Sequence, residues 1–344
     1  MNRYIRYPLY LLGTVSLFLI GIAGYVLLFL PAADSPPDLQ VDITDEKVEH
    51  GRYLANHVML CMDCHAVRDF SLFAGPPSPG TEGGGGEVFD QNMGFPGRFV
   101  SRNLTPASLG SWTDGEIFRA ITSGISRDGT ALFPVMPYPH YSKLAEEDIH
   151  AVIAYIRTLE PVDNRLPPSQ PDFPVNILIN TMPVRADLQS KPSRDDVVNY
   201  GKYMVTAAAC TDCHTRMERG KFVGEPFAGG NEYHLPDGST VRSANITPHE
   251  TGIGNWTKEQ FVQRFKAYTG NSYVPQKVEP GQFQTIMPWL MYADMEQGDL
   301  EAIYEYLRSL PPVENRVENF TPAERTGTAV TSFFRSTPGL SFHH

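Results

Sequence analysis

The hydrophobic and polar positions divide the chain into an apolar head and two amphipathic bodies. Leu9 to Leu30, 22 residues, carries no charge and is bracketed by Pro8 and Pro31. At 1.5 Å per residue such a helix measures about 33 Å, enough to cross a bilayer core. Tyr10 and Tyr25 stand near its ends, Arg3 and Arg6 precede it, and Asp34, Asp38 and Asp42 follow. The positive-inside rule places the first residues in the cytoplasm and everything after about residue 31 outside it. A cleaved secretory signal has an apolar core of only about 7–15 residues. The length therefore favours a retained anchor, although Pro31-Ala32-Ala33 would suit cleavage. Residues 1–31 are expected to form a single N-terminal transmembrane helix in a bacterial cytoplasmic membrane, with the rest on the periplasmic side.

Beyond the anchor, apolar residues recur with helical spacing. Ile149, Val152, Ile153 and Ile156 stand at i, i+3, i+4 and i+7, as do Leu300, Ile303, Tyr304 and Leu307, each after an acidic first turn. Thr113-Asp-Gly-Glu116 and Thr257-Lys-Glu-Gln260 are capping boxes, opening helices to Ser123 and Tyr268. Two more helices are expected at Asp45 to about Val58 and Asp195 to about Ala208. The predicted fold class is all-α, not β.

These elements occur twice in one order. Gly51-Arg52-Tyr53 matches Gly201-Lys202-Tyr203, and Asn103-Leu104-Thr105-Pro106 matches Asn245-Ile246-Thr247-Pro248. Trp112-Thr113 matches Trp256-Thr257, and Met136-Pro137 matches Met287-Pro288. One unit has been duplicated, giving a first domain at 45–165 and a second at 195–318. A Pro-rich linker at 166–194 joins them, and a tail follows at 319–344.

The 344-residue chain is 41% hydrophobic and 19% charged, which excludes pervasive disorder. Its formal net charge of −11 argues against a nucleic-acid partner that needs a broadly basic surface. With 29 glycines and 29 prolines, long irregular loops are expected between modest helices.

All four cysteines fall in two pentapeptides, Cys61-Met62-Asp63-Cys64-His65 and Cys210-Thr211-Asp212-Cys213-His214. CxxCH is the attachment signature of c-type haem. Two thiols three positions apart on a helical turn reach the two vinyl groups of one porphyrin edge, and the next imidazole binds the iron. A redox CxxC or a four-cysteine zinc site does not need that histidine, and a zinc ribbon sets its pairs about 15–20 residues apart. Two covalently bound haems c are expected, with His65 and His214 as proximal iron ligands.

The sixth ligand separates a carrier from an enzyme, because only an iron with an open face binds peroxide or oxygen. Met136 and Met287 hold equivalent places in the repeat, each before a proline and ahead of the last helix. Pairing makes them the expected axial ligands, ahead of Met291, Met295 and His140. His57, His150, His234 and His249 lack a histidine counterpart and are expected in surface or loop roles. Gly83 to Gly86 lacks the Lys-Ser/Thr of a phosphate loop and reads as a flexible tip. The Asn-x-Thr triplets at Asn103 and Asn245 read as turns beside the haem. Trp112 and Trp256 are candidates for packing on the macrocycle or bonding its propionates, with ordinary core roles as the alternative. His343-His344 has the form of a tag remnant.

Phe227-Ala-Gly-Gly230, the run from Asn245 to Trp256, and Gly129 to Tyr141 with Met136 resemble the cytochrome c subunit of membrane-bound bacterial alcohol dehydrogenases and related dehydrogenases. The resemblance covers roughly residues 45–316. It implies tandem class I cytochrome c domains in an electron-transfer subunit. Its partners would be a membrane-bound dehydrogenase or respiratory complex subunit and, downstream, a cytochrome, quinone or oxidase. That family usually carries three haem domains, whereas this chain has two CxxCH motifs and an N-terminal anchor. A different class, a dihaem peroxidase-like or sulfur-oxidising oxidoreductase with one open haem, is the alternative.

Overall fold

The computed structural model describes residues 3–32, 34–270 and 272–323. Residues 324–344 of the expected tail, including His343-His344, and Ala33 of the alternative cleavage site lie outside the described residues.

The apolar head is one helix, Arg3–Phe29, of which Tyr7–Phe29 has a mean hydropathy of 2.3 and is almost wholly exposed. The chain then leaves along the first repeat, where Val41 is buried and its N–H donates to Asp114 Oδ2 at 2.8 Å.

Each repeat is built on a crossed pair of helices. In the first, Asp45–Tyr53, capped by Thr44 and continued by a π-helical turn at Leu54–Val58, crosses Glu146–Arg157. In the second, Val197–Ala207 crosses Gln297–Ser309. The crossings are close because a glycine stands at each. A Cβ added at Gly51 would sit 1.8 Å from the Ala151 carbonyl oxygen, and at Gly201 1.9 Å from that of Ala302. A middle helix, Asp114–Ser123 or Lys258–Lys266, completes each unit, and both carry the full reciprocal capping box. The stripes Ile149, Val152, Ile153 and Ile156, and Leu300, Ile303, Tyr304 and Leu307, are all buried and share one core with the crossing helices.

The chain is not all-α. Only 39% of it is helical and 9% is strand. The strands are short antiparallel ladders by which the long loops pair backbone groups. Three form one sheet: β1 (Val88–Phe89), β2 (Gly97–Val100) and β3 (Gln170–Pro171), in that order, with Val88 opposite Val100 and Gly97 opposite Pro171. β4 (Met217–Glu218) and β5 (Lys221–Phe222) make a hairpin. β6 (Glu232–His234), β7 (Thr240–Arg242) and β8 (Phe320–Thr321) form the third sheet. None is long enough to display an alternating pattern, which is why periodicity missed them. Their turns were nevertheless written in the chain. Pro236-Asp237-Gly238 joins β6 to β7, and Arg219-Gly220, both with positive φ, joins β4 to β5.

Candidate haem sites

Each CxxCH begins with a sharp backbone reversal. Leu60 (φ 56°) and Ala209 (φ 49°) are left-handed residues that end the preceding helix and start a new turn, Cys61–Cys64 or Cys210–His214. Non-glycine residues avoid that region, so its occurrence at equivalent places marks an imposed geometry. It sets both cysteines of each pair on one turn, with the histidine at its end. Cys213 is exposed, the other three cysteines are half-buried, and no two of the four are joined in a disulfide. Burial pushes Cys61, Cys64 and Cys210 up to about 12 and raises Cys213. Among the described residues no three His, Cys, Asp or Glu side chains form a group that could hold a metal ion.

The histidines are oriented identically. His65 Nδ1 donates to the Arg102 carbonyl at 2.6 Å, and His214 Nδ1 to the Ala244 carbonyl at 2.7 Å. A carbonyl only accepts, so in each ring Nδ1 carries the proton and Nε2 keeps its lone pair, the arrangement a metal-binding histidine needs. Burial lowers both imidazole pKa values, against the opposing carbonyl bond, and favours the neutral ring. The residues fit a covalently attached haem c: two thiols on one turn and a neutral imidazole with a free Nε2.

The accepting carbonyls come from the residues just before the Asn-x-Thr-Pro turns. Asn103 Oδ1 accepts from the Thr105 N–H at 2.9 Å and its hydroxyl at 2.7 Å, while Asn103 Nδ2 donates to the Val162 carbonyl at 2.7 Å. Asn245, Thr247 and Val313 repeat the arrangement. Both asparagines are buried, so the triplets are turns. Gly83, Gly84 and Gly85 are buried too, and the expectation of a flexible tip at Gly83 to Gly86 is wrong. Gly85 N–H donates to the His65 carbonyl, as Gly229 N–H does to that of His214, and both have positive φ. A Cβ there would lie 2.6 Å from the Arg102 carbonyl carbon or 2.4 Å from that of Ala244.

The methionine segments are tied to the motifs by tyrosines that sequence reasoning missed. Met136 precedes the short helix Tyr138–Tyr141, and Met287 precedes Trp289–Tyr292. Tyr141 Oη donates to the Met59 carbonyl at 2.8 Å, and Tyr292 Oη to the Ala208 carbonyl at 2.9 Å, each two residues ahead of its CxxCH. Their equivalent places in the repeat were the available signal. The rival residues do other work. His140 Nε2 donates to Asp212 Oδ1 at 2.6 Å, inside the other repeat's CxxCH, and the Met291 carbonyl accepts from His57 Nδ1 at 3.0 Å. His57 is thus an interface residue, not the surface or loop residue expected. Met295 is fully buried. Trp112 packs on the core and Trp256 is 37% exposed.

Two repeats, each presenting a haem-attachment turn, an oriented histidine and a tethered methionine segment, define the class: a protein of c-type haem units. Comparison makes this particular. Over 278 residues the chain is 31% identical to the fructose dehydrogenase cytochrome subunit of Gluconobacter japonicus, covering 77% of this chain and 52% of that one. Over 331 residues it is 28% identical to the cytochrome c subunit of alcohol dehydrogenase (quinone) from Gluconacetobacter polyoxogenes, covering 90% and 64%. Over 318 residues it is 27% identical to a diheme cytochrome c-type protein of Cereibacter sphaeroides, covering 88% and 98%. No protein-family profile matches the chain. It is thus a homologue of cytochrome c subunits of fructose and alcohol dehydrogenases and of a diheme cytochrome c. It spans about half to two thirds of the length of the dehydrogenase subunits.

Proposed function

We propose that this protein is a non-catalytic, membrane-anchored dihaem c-type cytochrome. It would carry single electrons from a dehydrogenase-type subunit to a downstream cytochrome, quinone or oxidase. Cys61 and Cys64 would hold one haem with His65 and Met136 on its iron; Cys210 and Cys213 would hold the other with His214 and Met287. The haem, when bound, supplies a one-electron Fe(III)/Fe(II) couple. The polypeptide fixes the imidazole tautomer through the Arg102 and Ala244 carbonyls, and Met136 and Met287 would supply the thioether ligands.

The observation carrying this reading is the matched geometry of the two repeats. In each, the histidine Nδ1 is held by a carbonyl, and a tyrosine five residues after the methionine bonds the backbone two residues ahead of the CxxCH. Two saturated irons suit a relay. The names of the relatives supply the dehydrogenase partner, and the exposed apolar helix Tyr7–Phe29 supplies the membrane attachment. The haem domains are proposed to lie on the periplasmic side, because Arg3 and Arg6 precede the helix and acidic residues follow it.

The test is potentiometric. Met136→His is expected to lower one midpoint potential and leave the other nearly unchanged, and Met287→His the converse, because thioether ligation raises the potential. The ferric wild type should show the near-infrared charge-transfer band of Met-ligated haem for both centres. A high-spin resting haem, rapid peroxide turnover, or a Met→His variant with both potentials unmoved would overturn the reading.

A further inference from the structure

We propose that the segment 173–181, between the two repeats, is a second membrane contact that seats Phe173 and Leu178 in the interfacial zone of the lipid bilayer. The proposal rests on reading the N-terminal helix as membrane-spanning, and adds to it a depth and a surface.

Nearly every side chain of the anchor is exposed, only 6% of its most apolar window being buried. The exception lies near the C-terminal end. Val26 is buried, and Ala23 and Leu30, on the same helical stripe, are half-covered. The short helices Val175–Leu178 and Ile179–Thr181 pack against this end, and Asn180 Nδ2 reaches the Val26 carbonyl at 3.5 Å. Val26 precedes Leu30, the last residue of the apolar run, by about 6 Å of helix. An element docked there sits at the depth to which interfacial helices sink their apolar faces, about 5–10 Å.

The side chains suit that depth. Tyr25 and Phe29 stack at 5.7 Å and are 57% and 66% exposed. Phe173 is 79% exposed and Leu178 45%. Aromatic rings gather at the headgroup level of membrane proteins, whereas exposed apolar side chains set in water favour association. Past the helix, the exposed pair Arg185 and Asp34, 3.6 Å apart, is suited to the aqueous side. The bilayer is the occupant favoured here because the turn is continuous with the anchor's own lipid-facing surface.

The test uses the full haem-loaded chain in phosphatidylethanolamine/phosphatidylglycerol vesicles. The four native thiols are closed as thioethers, so Phe173→Cys and Leu178→Cys each offer one site for a nitroxide. Leu19→Cys reports the mid-anchor, and Val223→Cys, on the second repeat, reports exposed protein surface. Haem content per chain equal to wild type establishes folding, and two sites keep the test readable if one label disturbs the turn. The expected result is that labels at 173 and 178 relax faster with oxygen than with a water-soluble nickel complex, as at 19, with the order reversed at 223. Labels at 173 and 178 that follow 223 while 19 stays lipid-like would overturn the proposal and leave the anchor standing. Shielding from both agents would mean that protein covers the turn, and would also overturn it. A nickel-accessible label at 19 would bring down the anchor reading itself, and this proposal with it.

Discussion

A single backbone carbonyl decides which nitrogen of each candidate iron-binding histidine is free. Its position depends on a glycine the sequence shows only as part of a Gly-rich run. Gly85 and Gly229 have positive φ and lie against the peptide that carries the acceptor. Alanine in the left-handed region costs about 1–2 kcal/mol before any collision. Gly80 has φ +80° with nothing near its missing Cβ, so it supplies the control. Gly80→Ala should lower stability by about that intrinsic amount, whereas Gly85→Ala and Gly229→Ala should cost more. Thermal unfolding of the three variants checks the order, and equal losses would show that the close approach does not matter. The cysteines and histidines of this site were legible because their chemistry is tied to spacing. Leu60 and Ala209 were not, since nothing in a leucine or an alanine announces a left-handed backbone.

At the scale of elements, the amphipathic stripes and capping boxes marked the helices because each is a local pattern. Thr113→Ala or Thr257→Ala should cost about 1 kcal/mol of stability, the usual worth of an N-cap, measurable as a shift in denaturation midpoint. Helix crossing is another matter. Gly51→Ala puts a methyl group where the Ala151 carbonyl now sits, so the two helices must part. Overpacking of a tight interface costs about 1–3 kcal/mol, and Gly51→Ala and Gly201→Ala should be alike because the crossings are alike. Denaturant unfolding of both variants would reveal any inequality. The strands escaped notice because two to four residues cannot establish a period, although two of their turns were readable.

Across the whole molecule the repeats hold each other by exchanged side chains. Tyr203 of the second repeat donates to Asp148 Oδ2 of the first at 2.5 Å, and Tyr53 of the first donates to Asp299 Oδ2 of the second at 2.7 Å. Each hydroxyl also accepts a backbone N–H, from Ala145 and Glu296 respectively, both at 3.0 Å. The joining segment contributes Lys191, 3.0 Å from Asp148, and Arg194, 3.3 Å from Asp299. The same interface joins the repeats at the second CxxCH, where His140 of the first donates to Asp212 Oδ1 at 2.6 Å. Burial works to raise Asp148, but the His50 hydrogen bond, Lys191 and Tyr203 outweigh it, and its pKa is lowered on folding. A depressed carboxyl stabilises fully above its unfolded value, about 3.9, and loses that contribution as pH falls through the folded value. Asp148→Asn should therefore flatten the decline of stability below about pH 4 relative to wild type. Denaturation at a series of pH values checks the slope; parallel curves would contradict it. A double-mutant cycle of Tyr203→Phe and Asp148→Asn should show coupling of about 1.5–3 kcal/mol, the usual worth of a hydrogen bond to a charged group.

The sequence by itself determined the apolar helix, the duplication, the main helices and the eight residues proposed for the haems, because each depends on local spacing or on comparing a segment with its copy. Only the tertiary structure decided that the loops pair as strands, that a carbonyl thirty or more residues away selects the histidine tautomer, and that the two copies clasp through exchanged tyrosines. Those depend on where distant backbone comes to lie once the core closes, and no short window of the chain carries that information.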